Sequence, residues 1–302
     1  MVDLLKMPDT FASEISDCHV HVVGPVDAFP QAEGRGYTAG LATPENLREV
    51  AGPTGVKRYV FVQPSFYGTD NSYLFHSLEL LAGPARGVVV LDSADMNARQ
   101  LEQLAQRGVS GIRVNLYSKF SPLAPGGLED ILKRYTDKMP RKGWHVEVIA
   151  PVETVVDAAP VLAGSPIPIV IDHYGLPGDA GPESELGRRL LDLISLGHVW
   201  VKLSAPYRIG ADPLNTTPPA NWLLALLRAA PDRCVWGSDW PFAPSRKSQT
   251  DAATAVPYRP IDYRRLLEDF IRALPAEIDA GVVMRLNPAR LYGFDLASSD
   301  KE

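Results

Sequence analysis

The run 15–23 contains Asp17-Cys18-His19-Val20-His21. Side chains alternate along a strand, so the spacing predicts Asp17, His19 and His21 on one face and Cys18 on the other. Two imidazoles two residues apart can hold one metal ion or polarise one carbonyl oxygen. The competing reading is a strand with buried, satisfied histidines. A second motif, Ile169-Val170-Ile171-Asp172-His173, places His173 on the face of Ile169 and Ile171. A third, Val235-Trp236-Gly237-Ser238-Asp239-Trp240-Pro241, ends an apolar run with Asp239. Asp239 is then a candidate general base on a water, with His19, His21 and His173 polarising the electrophile.

Something must bring these motifs together. Short runs rich in Val and Ile recur at 15–23, 56–63, 86–91, 111–116, 145–149, 167–171, 199–203 and 234–237. Such runs read as strands covered on both faces. Helical patterns fill the intervals at 43–50, 72–81, 98–106, 128–138, 154–162, 183–196 and 221–229. Two more follow at 263–273 and 277–286, then a short turn at 287–292. Eight strands alternating with helices predict an α/β protein, a (β/α)8 TIM-type barrel over 1–302 as a single domain. All three motifs then lie at the C-terminal ends of strands, where barrels carry their chemistry, and Asp239 on the last strand neighbours the first. The long loops 209–220 and 240–262 follow strands seven and eight and overhang the same mouth.

The 302 residues carry 30 basic and 36 acidic side chains, a net charge of −6. That balance argues against a nucleic-acid or anionic-membrane surface. Two distant cysteines, Cys18 and Cys234, suggest a reducing compartment and no disulfide framework. With no signal-peptide pattern and no apolar run of membrane-spanning length, the expectation is a cytoplasmic protein. Phosphate-binding glycine fingerprints are absent, which lowers the odds of a nucleotide cofactor.

The motifs taken together resemble the amidohydrolase superfamily. More narrowly, the chain is similar to the 2-pyrone-4,6-dicarboxylate lactonase-like family. The resemblance rests on DCHVHVVGP at 17–25, Tyr37-Thr38, QPSFYGTDN at 63–71, GIRVN at 111–115, IDHYG at 171–175, WGSDWP at 236–241 and NPARLYGF at 287–294. It implies hydrolysis of a small anionic lactone in the catabolism of aromatic or sugar acids. Asp239 would deprotonate water, and His19, His21 and His173 would polarise the carbonyl. Tyr37, Ser65, Arg113 and Arg208 would contact substrate. The family's dicarboxylate lactonase uses several arginines for its carboxylates. Here Lys119 holds one such position as the substrate contact, and Leu176 holds another. Fewer guanidinium forks imply a substrate with different or fewer anionic groups. Arg246 and Lys247, on the last loop, read as solvated loop residues or as replacement charges.

The resemblance implies no required cofactor, because the dicarboxylate lactonase is metal-independent. Some relatives bind zinc or manganese. If a divalent ion were bound, His19, His21, His173 and Asp239 would be its ligands. His145 and Glu147 share a face of the fifth strand, in a direction the sequence leaves open. His198 and His76 read as structural and exposed, respectively. Rival readings are a metal-dependent decarboxylase, a lactone isomerase, or a barrel that only binds an acidic ligand. The sequence assigns no oligomeric state.

Overall fold

A computed structural model describes residues 15–81, 85–118, 127–244 and 255–296. Lys119, Arg246 and Lys247 lie outside these residues. Eight parallel strands form one sheet: β1 (Ile15–Val20), β2 (Val56–Val62), β3 (Ala85–Val89), β4 (Val109–Asn115), β5 (His145–Ile149), β6 (Ile169–Ile171), β7 (Val199–Ser204) and β8 (Cys234–Gly237). The sheet closes on itself beyond β8. Val20 bridges Trp240 in parallel, Asp239 N donates to His19 O at 2.8 Å, and His21 N donates to Trp240 O at 2.7 Å. The (β/α)8 barrel is therefore closed, and a closed barrel leaves no sheet edge.

The outer layer packs α1 (Pro44–Ala51), α2 (Ser72–Leu81), α3 (Ala98–Gln106), α4 (Leu128–Thr136), α5 (Val152–Asp157), α6 (Ala159–Ala163), α7 (Glu185–Ser195), α8 (Ala220–Ala229) and α9 (Tyr263–Ala273). Local chemistry starts them: Thr43 and Asn46 cap α1 reciprocally with Pro44 in the first turn, and Asn97, Ser184 and Asp262 cap α3, α7 and α9. Among the described residues no helix is long and apolar enough to cross a membrane.

Some boundaries differ from the sequence expectation. The helix expected over 154–162 is two short helices, because Pro160 has no N–H to extend the first. The helix expected from Glu277 begins three residues later. There Asp279 accepts the Gly281 N–H at 2.8 Å, and the chain runs through a π-turn (Val282–Leu286) into α10 (Asn287–Tyr292), where a turn was expected. A two-residue ladder between Thr38–Ala39 and Ala255–Val256 also ties the loop after β1 to the loop after β8.

Two apolar layers result. Strand residues such as Ile112, Val146, Ile169 and Ile171 pack outward against the helices. Cys18, Val60, Val62, Val88, Val170 and Val235 fill the barrel interior above Tyr292 and Phe294. Cys18 thus points inward, against the simple alternation. The β1–β2 register shifts between Asp17 and Val20. This bulge sends Asp17 away from His19 and His21: its Oδ2 accepts from Tyr263 of α9 at 2.8 Å and its Oδ1 from Ser238 N at 2.8 Å. Burial, opposed by the Ser238 bonds, pushes the Asp17 carboxyl up to about 6. It is a structural clasp rather than a member of the site.

Candidate active site

His19 is the last residue but one of β1 and faces the interior, and His21 lies just past the strand. His21 Nδ1 lies 2.7 Å from Val62 O, and the two Nε2 atoms are 3.3 Å apart. Asp239 sits two residues beyond β8, and its Oδ1 is 3.5 Å from His19 Nε2 and 3.3 Å from His21 Nε2. His173 follows β6 and places its ring centroid 4.8 Å from that of His19. The four residues that the motifs nominated converge.

The strand alternation does not deliver His173. Val170 faces inward and Ile171 outward. His173 reaches the centre because its backbone is left-handed, φ 53°, in a turn continued by Tyr174 at 56°. Asp239 has φ 63°, again at a strand end. Left-handed backbone in a side-chain-bearing residue costs on the order of 1–3 kcal/mol and gathers at functional sites. Asp172, not nominated from sequence, shares the inward face of Val170 and joins the site.

Asp239 is held by one oxygen. Its Oδ2 accepts from the Tyr207 hydroxyl at 2.5 Å and from Arg208 Nε at 2.7 Å, while Oδ1 has no hydrogen-bond partner and faces the imidazoles. Burial works to raise this carboxyl, but Arg208, His173 and the His21 contact outweigh it and hold it well below the usual carboxylate range. Asp239 is an anion at neutral pH. The imidazoles are neutral there: burial lowers His19 and His21, and brings His173 down to about 4. His173 Nδ1 meets Ser204 Oγ at 2.8 Å, and its buried Nε2 has no partner.

A second set of charges lies behind the histidines. Lys202 on β7 is wholly buried, hydrogen-bonds to Glu147 Oε2, and places Nζ 3.2 Å from His19 Nδ1. Asp172 Oδ1 is 3.8 Å from the same Nζ. Arg113 on β4 donates to Gln63 O at 2.8 Å and reaches Asp172 Oδ2 at 3.5 Å. Glu147 thus faces the interior; His145 lies below it, its ring edge-on to Tyr292 and over Gly111. A β-carbon on Gly111 would lie 2.4 Å from that ring. Neither Lys202 nor Tyr207 was nominated from sequence. The only signal for Lys202 is a charge inside the otherwise apolar strand Val-Trp-Val-Lys-Leu-Ser.

The barrel mouth holds a cavity over His21. Tyr37, Ser65, Arg113 and Arg208 line it, together with Asn115, Tyr117 and Tyr258. Tyr258 donates to Gly40 O at 2.5 Å, and Arg259 donates to Ala243 O and Pro213 O, so the loops after β1, β7 and β8 close the rim together. His198 donates to Leu162 O at the opposite end of the barrel, and His76 is exposed on α2; both stand outside the site.

Could the site hold a divalent cation? His19 Nε2, His21 Nε2 and Asp239 Oδ1 are spaced 3.3–3.5 Å apart. A tetrahedral ion with bonds near 2.1 Å asks for edges of roughly 3.4 Å. The spacing suits, but the outer bonds do not all follow. A metal-bound imidazole donates its other N–H to an acceptor. His21 has one in Val62 O. His19 Nδ1 instead meets a lysine nitrogen, and Asp172 Oδ1, though 3.3 Å away, takes no hydrogen bond. The donor set fits a cation at two of its three atoms.

A family model described as Amidohydrolase matches residues 16–294. A 4-sulfomuconolactone hydrolase of Rhizobium radiobacter is 30% identical over 280 residues, covering 92% of this chain and 89% of the relative. A 2-pyrone-4,6-dicarboxylate hydrolase of Comamonas testosteroni is 30% identical over 288 residues, covering 91% and 89%. Two solved structures share the fold. One is an apo structure from Agrobacterium tumefaciens (TM-score 0.77, 22% identity, 94% and 97% covered). The other is an amidohydrolase from Burkholderia multivorans with bound zinc (TM-score 0.65, 20% identity, 94% and 100% covered).

Proposed function

The chain belongs to the amidohydrolase family, and from that premise we propose that it hydrolyses the lactone of a small organic acid. Two relatives at 30% identity are hydrolases of lactones, a sulfomuconolactone and a pyrone dicarboxylate. The observation that carries the reading is the convergence of one free carboxylate oxygen, Asp239 Oδ1, with the ring nitrogens of His19 and His21, the His173 ring beside them, beneath a cavity lined by two guanidiniums.

The chemistry follows from these groups. A water beside Asp239 Oδ1 attacks the ring carbonyl carbon, and Oδ1 takes its proton. Negative charge moves to the carbonyl oxygen, which the cluster of His19, His21 and His173 stabilises through the N–H groups it presents in a dry site. When the tetrahedral species collapses, the carbon–oxygen ring bond breaks. Asp239 returns the proton to the leaving oxygen, giving an open hydroxy acid or enol. The acid group of the substrate lies toward Arg113 and Arg208. Arg208 commits Nε to Asp239 and keeps its other edge for an anion. Tyr37, Ser65 and, by the family resemblance, Lys119 contact the remaining oxygens. A divalent ion at His19, His21 and Asp239 would polarise the carbonyl and acidify the water. No step above requires one.

The test is turnover of a panel of muconolactones, sulfonated muconolactones, pyrone carboxylates and sugar-acid lactones, before and after chelation and metal analysis. Ring opening that survives chelation and disappears in Asp239→Asn supports the reading. Binding of these acids with no turnover by metal-free or metal-loaded enzyme would refute it in favour of a binding barrel.

A further inference from the structure

We infer that Lys202, His19 and His21 form a directed run of hydrogen bonds that fixes the two imidazoles as neutral rings of opposite tautomer, His19 as the N–H donor of the site and His21 as its lone-pair acceptor. Lys202 is then a positioning residue. The assignment rests on the lactone-hydrolase reading only for its mechanistic use, not for the geometry.

The argument runs from both ends of the chain. At one end, a backbone carbonyl can only accept, so the contact of His21 Nδ1 with Val62 O at 2.7 Å requires the proton on Nδ1. A neutral His21 therefore has a bare Nε2. That nitrogen lies 3.3 Å from both His19 Nε2 and Asp239 Oδ1; the ionised carboxylate cannot donate, so the proton it accepts is the one on His19 Nε2. His19 Nδ1 must then be bare.

The other end gives the same answer independently. Lys202 hydrogen-bonds Glu147 and is a donor-only ammonium. Its Nζ lies 3.2 Å from His19 Nδ1, which must accept. The rival assignment puts the proton on Nδ1 and directs it at a carboxylate. Asp172 Oδ1 and Glu147 Oε1 are near enough, at 3.3 and 3.6 Å, but neither takes a hydrogen bond there. The lysine contact is the shortest of the three.

Two consequences follow for the proposed hydrolysis. An entering carbonyl oxygen takes over the His19 Nε2–H from His21, so one ring is the donor to the developing oxyanion. His21 Nε2 and Asp239 Oδ1 remain as two acceptors 3.3 Å apart. A water that donates one hydrogen to each relieves their repulsion and is held for attack. The same proton on His19 Nε2 occupies the lone pair that a metal would need. Lys202 thus does from behind the ring what a cation would do in front of it: it balances the buried carboxylates Glu147 and Asp172.

Long-range proton–nitrogen spectra of protein labelled with 15N-histidine read the tautomer of each ring, assigned through one histidine variant at a time. The expected result is His19 protonated at Nε2 and His21 at Nδ1, both neutral. His19 protonated at Nδ1, or a stoichiometric divalent ion held by both Nε2 atoms in the purified enzyme, overturns the inference. Kinetics supply a second reading. Lys202→Met strands Glu147, so Lys202→Met/Glu147→Gln is made beside it. In the folded double variant kcat falls about 10–100-fold, the range known for outer partners of metal-bound imidazoles, while KM stays within about threefold. Unchanged kcat overturns the inference. If the wild-type rings show these tautomers but no lactone is opened, the lactone reading fails and the tautomer assignment stands.

Discussion

Gly237 of β8 packs against the backbone of His19 of β1. A β-carbon on Gly237 would lie 2.7 Å from His19 Cβ and 2.9 Å from the His19 backbone nitrogen. The same seam carries the Asp239 N to His19 O and Ser238 N to Asp17 Oδ1 bonds, each 2.8 Å. The strand that leads to Asp239 and the strand that presents the imidazoles therefore meet with no free space between them. Closure of the barrel and assembly of the site are one event.

Gly237→Ala tests this seam. The obstacle is backbone, which cannot rotate away. The variant should lose about 1–3 kcal/mol of stability, the usual range for overpacking, and most of its activity, because any relief separates His19 from Asp239. Gly52→Ala, where no atom lies within 4 Å of the new carbon, is the control. Melting temperature and kcat/KM measure both. A Gly237→Ala protein that melts and turns over like the control would show that the seam has slack.

Tyr207→Phe removes one of the two donors on Asp239 Oδ2 and leaves the ring in place. A hydrogen bond to a charged group contributes about 1.5–3 kcal/mol. The loss should appear as a roughly 10–100-fold fall in kcat/KM, carried by kcat because Tyr207 does not line the cavity. A rise in KM at constant kcat would place Tyr207 on the substrate instead.

The base assignment has a pH signature. Arg208 is the leading influence holding Asp239 well below the usual carboxylate range. Activity should therefore stay level as pH falls through the ordinary carboxylate range and drop only below it. Arg208→Met releases the carboxyl, so the acid fall should move up in pH, whatever happens to KM. A pH–kcat profile of Arg208→Met that overlays the wild type would remove Asp239 from the role of base.

The barrel was legible because strands covered on both faces read as unbroken apolar runs, and all eight occur where such runs stand. His19, His21, His173 and Asp239 were legible because polar residues stand out at the ends of those runs. What the sequence hid was three-dimensional. The bulge in β1 exchanges Asp17 and Cys18 between faces, which strict alternation cannot anticipate. The left-handed turn at His173 likewise overrides the parity of β6 and leaves Asp172 inside. Lys202 meets Glu147 across 55 residues of sequence, and nothing local in either strand announces the pair.

Acid should destabilise this fold, and the sign can be worked out group by group. Burial lowers His145 to about 3 and His173 to about 4, and lowers His19 and His21 as well. Between about 4 and the ordinary 6.5 the His145 and His173 rings bind protons only in the unfolded chain, and the lowering of His19 and His21 acts in the same direction, so stability falls as pH falls through that window. Two carboxyls oppose this. Burial raises Asp17 to about 6 and Glu147 to about 7, and these take protons in the folded state first. Four lowered rings against two raised carboxyls leave a net loss of stability as pH falls below about 6.5. Asp239, whose folded value is depressed, adds to the loss only below about 4. Thermal melts at fixed ionic strength from pH 7 to 4.5 should show a steady decline. Asp17→Asn removes an opposing group and should steepen it. His145→Gln removes one ring at the barrel floor, away from the cavity, and should make it shallower. A melting temperature that holds or rises on acidification would mean that the rings are not buried neutral, and the proton assignments of the site would fall with it.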